Sequence, residues 1–113
     1  MSKRIAVIGT GYVGLVAAVG LADFGNQVVG CDIDSNKIEK LNMGIPTIYE
    51  HGLEDYLKRN VENGRLSFKG DIGNAVKEAD VVFLAVGTPP KEDGGADVSQ
   101  IEESAKTVAQ NMN

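Results

Sequence analysis

Three glycines, Gly9, Gly11 and Gly14, stand at the spacing Gly-x-Gly-x-x-Gly directly after the apolar run Ile5-Ala6-Val7-Ile8. A glycine turn that opens a helix exposes unpaired amides at the positive end of the helix dipole, which is an anion site suited to a pyrophosphate. Each glycine has its own task. Gly9 permits a tight strand-to-helix turn, Gly11 has no Cβ to block the approach of a phosphate, and Gly14 lets the helix lie close to the sheet. Asp32 closes the next β-rich run, 21 residues beyond Gly11. The dinucleotide fingerprint places an acidic residue about 20 residues on, where its carboxylate accepts hydrogen bonds from the adenosine ribose. A 2′-phosphate at that point would meet the carboxylate, with Asp34 nearby and no arginine following the run. The pattern therefore favours NAD over NADP. Lys37 is the nearby cation that could soften this preference, or else a solvated helix residue.

A second loop belongs with the first. Gly87 and Thr88 follow the run Val81–Val86 and sit where the backbone and a hydroxyl could line the same ligand; a plain strand-ending turn is the alternative. Cys31 precedes Asp32 on a β-rich run, where a buried thiol is expected rather than a nucleophile. His51 is the only histidine and reads as a loop residue. Glu50 and Asp55 read as helix-start charges, not as a catalytic pair.

The elements that must position these residues alternate. Ile5–Ile8 is a strand ended by glycine, and residues 11–24 read as a helix stopped by Gly25. Gln27–Cys31 is a second strand. Ser35–Asn42 is a helix ending at Gly44. A further helix presents Leu53, Tyr56, Leu57 and Val61 on one side and stops at Gly64. Leu66–Phe68 is a third strand, and Asp71 caps a short helix carrying Ala75, Val76 and Ala79. Val81–Val86 is the most continuously apolar run, as expected of a strand covered on both faces. A last helix carries Val98, Ile101, Ala105, Val108 and Met112, with Asp97 and Gln100 at capping-box spacing. Alternation of this kind predicts an α/β fold: a Rossmann-type parallel sheet of about four strands in the order 3-2-1-4, with helices on both faces.

Composition bounds the answer. The 113 residues allow one domain, 42% apolar and 24% charged, which are globular values. Eleven basic against sixteen acidic residues give a formal charge of −5, which argues against a nucleic-acid partner. Residues 5–22 carry no charge and follow two cations, resembling a secretory signal or a membrane span. The glycines that break this stretch argue against both. A lone cysteine cannot form an internal disulfide, so a cytoplasmic setting is expected. No metal-ligand spacing is present.

The residues 5–15, Ile-Ala-Val-Ile-Gly-Thr-Gly-Tyr-Val-Gly-Leu, closely resemble the opening of the nucleotide-sugar 6-dehydrogenases. Further stretches resemble the same family in the same order: Cys31-Asp32-Ile33-Asp34 with Lys37-Ile38, Tyr49-Glu50-x-Gly52-Leu53, Ala85-Val86-Gly87-Thr88-Pro89, and Asp93-Gly94-x-Ala96-Asp97. The resemblance implies oxidation of the C6 hydroxyl of a UDP-sugar to a carboxylate with two NAD in succession. It favours UDP-glucose, with GDP-mannose and UDP-N-acetylmannosamine as alternative sugars. It places NAD on Gly9, Gly11, Tyr12, Val13, Gly14, Asp32, Lys37 and Thr88. It also implies that the catalytic cysteine and its lysine, asparagine and glutamate partners lie in later sequence, so no catalytic residue is expected here. Thr47 and His51 stand where the family usually has proline, and Pro46 is displaced by one.

Residues 1–113 are therefore expected to form one NAD-binding domain, incomplete at its C-terminus, with the UDP-sugar met only by a longer enzyme. A stand-alone nucleotide-binding module is the alternative from another class. The run Val81–Val86 would then be an uncharged edge, predicting self-association. A homo-oligomer and no membrane partner are expected.

Overall fold

The computed structural model describes residues 3–48, 50–86 and 99–111. The chain runs β1 (Arg4–Ile8), α1 (Tyr12–Asp23), β2 (Gln27–Cys31), α2 (Ser35–Asn42), α3 (Leu53–Glu62), β3 (Leu66–Lys69), α4 (Ile72–Glu78), β4 (Val81–Leu84) and α5 (Ser99–Asn111). The four strands form one parallel sheet in the order β3-β2-β1-β4. That is the expected order, with β1 central and the direction of progression reversing between β1 and β4.

Side-chain alternation along β1 shows why helices cover both faces. Ile5 and Val7 point to a core shared with Leu15, Ala18, Val19 and Ala22 of α1, Leu41 of α2 and Leu57 of α3. Ala6 and Ile8 point the other way, to Ala75 and Val76 of α4 and Val108 of α5. The buried positions of α1 recur at steps of three and four residues, which places one stripe against the sheet. Each leucine buried here contributes about 1.5–3 kcal/mol relative to exposure. Gly30 of β2 leaves room for the Phe68 ring of β3, which would lie 2.6 Å from a Cβ at that position.

Local caps follow the sequence. Asp34 accepts from the amides of Asn36 and Lys37 at 3.0 and 3.2 Å, and Asp71 accepts from Asn74 at 3.1 Å. Three expectations change. The fourth strand ends at Leu84, not Val86, and is not covered on both faces: Val81, Phe83 and Leu84 are 40–44% exposed. Among the described residues β4 pairs only with β1, so it is an edge of the sheet, as expected. On α3, Tyr56 is exposed and Asn60 is fully buried. Asn60 reaches the Asp23 carboxylate at 3.1 Å and the Tyr56 carbonyl at 2.8 Å, and Arg59 donates to the same Asp23, so a polar clasp joins α3 to α1. On α5, Val108 is buried but Ala105 is exposed, while Val98 and Met112, the side chain of Ile101 and the Asp97–Gln100 cap lie outside the described residues.

Candidate dinucleotide site

The site is built at the C-terminal ends of β1 and β2. The Gly9 amide donates to the Cys31 carbonyl at 2.8 Å, so the turn leaves β1 tied to β2. Gly9 has φ +101°, and a Cβ there would come within 2.8 Å of the Ala85 carbonyl oxygen and 3.0 Å of the Val86 amide. A side chain would be both strained and blocked. A Cβ on Gly14 would overlap the Gly9 carbonyl oxygen outright and sit 3.2 Å from the Ala85 Cβ. These two glycines are therefore required by the protein's own packing. Gly11 differs: nothing lies within 4 Å of the position its Cβ would take. It is the N-cap of α1, no side chain caps that end, and no acidic residue lies in the first turn. The first turn of α1 thus has no side-chain cap, and the positive end of the helix stands beside the space left open at Gly11.

Asp32 stands beside this turn with its side chain 14% exposed. Its Oδ2 accepts from the Thr10 hydroxyl at 2.6 Å, the Thr10 amide at 3.2 Å and the Lys37 ammonium at 3.4 Å. Its Oδ1 accepts from the Asp34 amide at 3.0 Å. Partial burial alone would raise the pKa of this carboxyl. The Thr10 hydroxyl, the Asp34 and Thr10 amides and the Lys37 charge outweigh it, holding the group below the ordinary aspartate range. Asp32 is thus an anion fixed in place, with acceptor capacity left on Oδ1.

Tyr12 and Val13, in the first turn of α1, are 56% and 69% exposed. The Tyr12 hydroxyl donates to Glu50 Oε2 at 2.9 Å, and this bond and charge raise the phenol pKa. Lys37 is not merely solvated, since its ammonium pairs with Asp32. Gly87 and Thr88 lie outside the described residues. The chain reaches them past Gly9, with the Ala85 amide donating to the Ile8 carbonyl at 2.7 Å.

Two residues escaped the sequence reading. The sequence reading gave Thr10 no role, yet it is fully buried and holds Asp32. Glu50 was read as a helix-start charge, but it precedes α3 and bonds Tyr12; Glu54 and Asp55 fill the first turn. No spacing rule signals either contact, because both cross between elements. Cys31 is fully buried, and burial, with the Asp71 and Asp32 charges, pushes its thiol up to about 11. That is the opposite of what a nucleophile needs. His51 is exposed at a depression of about 190 Å³ with Pro46, Ile48, Glu50 and Asp55. Among the described residues no cluster of three His, Cys, Asp or Glu could hold a metal, and no helix is long and apolar enough to cross a membrane.

Residues 3–113 match the model of the UDP-glucose/GDP-mannose dehydrogenase family, NAD binding domain. A UDP-glucose 6-dehydrogenase of Bacillus subtilis is 48% identical over 111 residues, which cover 98% of this chain and 24% of that protein. The GDP-mannose 6-dehydrogenase of Pseudomonas aeruginosa is 42% identical, covering 93% of this chain and 24% of that protein. The structure of a UDP-glucose dehydrogenase from Pyrobaculum islandicum superposes with a TM-score of 0.93 at 45% identity, over 98% of this chain and 26% of that one. The chain spans about a quarter of the length of the relatives it matches. With its parallel sheet, glycine turn and fixed Asp32, the chain belongs to the UDP-glucose/GDP-mannose dehydrogenase family and carries the NAD binding domain of that family.

Proposed function

We propose that this chain is the cofactor-binding part of a longer nucleotide-sugar 6-dehydrogenase whose substrate is UDP-glucose. The observation that carries the cofactor reading is the Asp32 carboxylate, anchored by four donors beside an uncapped helix that opens with glycines. The residues fit the dinucleotide. The amides after Gly11 receive the pyrophosphate, Oδ1 of Asp32 accepts from the adenosine ribose, and Lys37 balances the charge on Asp32. Tyr12 and Val13 flank the phosphate turn, and Gly87 and Thr88, which follow β4 in the sequence, complete the proposed set of cofactor residues. Bound NAD supplies the hydride acceptor; this chain binds and orients it and contributes no catalytic residue of its own. UDP-glucose is supported by the relatives at 45–48% identity, and GDP-mannose is the second reading, supported by the 42% identical relative.

Residues 1–113 form one domain in this reading, with the sugar nucleotide bound elsewhere in the longer protein. Among the described residues β4 is an edge of the sheet, which supports self-association, and the single buried thiol supports a cytoplasmic setting. Calorimetric titration of the folded chain tests the cofactor reading. NAD is expected to bind, NADP more weakly, and UDP-glucose not at all. Absence of dinucleotide binding by a chain with intact circular dichroism would overturn it.

A further inference from the structure

Thr10 occupies the middle of Gly9-Thr10-Gly11, a position for which the glycine spacing specifies no residue. A fully buried hydroxyl needs a partner, and this one spends its proton on Asp32 Oδ2 at 2.6 Å. The Thr10 amide and the Lys37 ammonium reach the same oxygen at 3.2 and 3.4 Å. Three donors saturate Oδ2, whereas Oδ1 has one, from the Asp34 amide at 3.0 Å. A carboxylate has about four acceptor positions in all, so the open one is on Oδ1. The Thr10 methyl lies over Gly30, 3.3 Å from where a Cβ there would be, so it uses space that the missing side chain leaves.

We propose that Thr10 is a positioning residue for dinucleotide selection, its hydroxyl locking the Asp32 carboxylate so that Oδ1 is offered to the ribose and a 2′-phosphate is refused. The inference rests on the cofactor reading above and adds the device that makes it selective. A carboxylate released from Thr10 could turn about its bond to Cβ toward Lys37, the other side chain that donates to Oδ2 among the described residues. It would then bind the ribose less well and repel a 2′-phosphate less strongly. Selectivity resides in the lock as much as in the charge.

The test is Thr10→Val, which keeps the shape and both branches at Cβ but removes the hydroxyl, with Thr10→Ser as the rescue. Dissociation constants for NAD and NADP are measured by calorimetry on the folded chains, with circular dichroism as the folding control. Valine is expected to weaken NAD about tenfold while leaving NADP within about twofold, and serine is expected to restore the wild-type ratio. Thr10→Ala gives the same reading if valine lowers the folded fraction. An unchanged NAD-to-NADP ratio in the hydroxyl-free variants, or an equal loss for both dinucleotides, overturns the lock. A folded wild-type chain that binds neither dinucleotide overturns the cofactor reading itself.

Discussion

Two glycines of the phosphate turn, Gly11 and Gly14, should fail in different ways when given a side chain. In Gly14→Ala the new Cβ would overlap the Gly9 carbonyl oxygen, stand 2.9 Å from its carbon and 3.2 Å from the Ala85 Cβ. Those are largely backbone atoms and cannot rotate away, so α1 must lift from the sheet. Alanine gains about 1 kcal/mol of helix propensity over glycine. Overpacking costs roughly 1–3 kcal/mol, and more when backbone has to move. Because the clash is with fixed backbone, the cost falls at the upper end of that range, and the net loss expected is about 2 kcal/mol. With a urea m-value of about 1.5 kcal/mol/M, the midpoint should fall by more than about 1 M. In Gly11→Ala the Cβ meets nothing, and φ −72° suits alanine. Loss of a glycine N-cap and the smaller entropy of the unfolded chain roughly offset, leaving stability within about 0.5 kcal/mol. Its Cβ enters the space a pyrophosphate would use, so NAD affinity should drop by about tenfold or more. Urea unfolding followed by circular dichroism, together with NAD titration of both folded variants, separates the two effects. Equal midpoints for the two variants, or full NAD affinity in Gly11→Ala, would refute the reasoning.

Further outcomes follow from other parts of the molecule. Because the folded-state pKa of Asp32 is lowered, its ionised form stabilises the fold above the unfolded value of about 4, and this stability is lost as pH falls through the folded pKa. The stability difference between the wild-type chain and Asp32→Asn should therefore grow as pH rises toward about 4 and stay flat above it; a flat difference across the acid range would contradict this. Cys31, buried with its thiol raised to about 11, should resist a disulfide reagent at pH 8 in the native chain and react promptly in denaturant. Rapid native labelling would show the strand to be open. The exposed side of β4 should make the sedimentation mass rise with concentration, and Phe83→Lys should reduce that rise. A wild-type monomer at all concentrations would exclude pairing through this edge.

Much of the fold was legible because its signals are local. The glycine spacing, the Asp34 and Asp71 caps and the alternation of short apolar runs with helical stripes depend on residues within a few positions of one another. The strand order was that of the Rossmann-type sheet expected from the strand–helix alternation and the glycine turn. The errors occurred where a residue's environment is made by distant chain. Val81–Val86 is apolar enough for a strand covered on both faces, but its neighbours in space decide exposure, and β4 ends at Leu84 with Val81, Phe83 and Leu84 40–44% exposed. Tyr56 fits the apolar stripe of α3, yet the clasp from Asn60 and Arg59 to Asp23 of α1 takes the inward place instead.

The same division runs through the site. By itself the sequence determined that a helix begins with glycines after β1 and that a carboxylate ends β2, because chain geometry ties residue type to backbone path over short distances. Only the tertiary structure decided that Gly14 is closed off by Gly9 while Gly11 is open, and that Thr10 fixes Asp32 from 22 residues away. Tyr12 likewise meets Glu50 across 38 residues. Hydrogen bonds and steric contacts act over a few ångströms of space, and which residues fall within that distance is set by how the strands and helices pack.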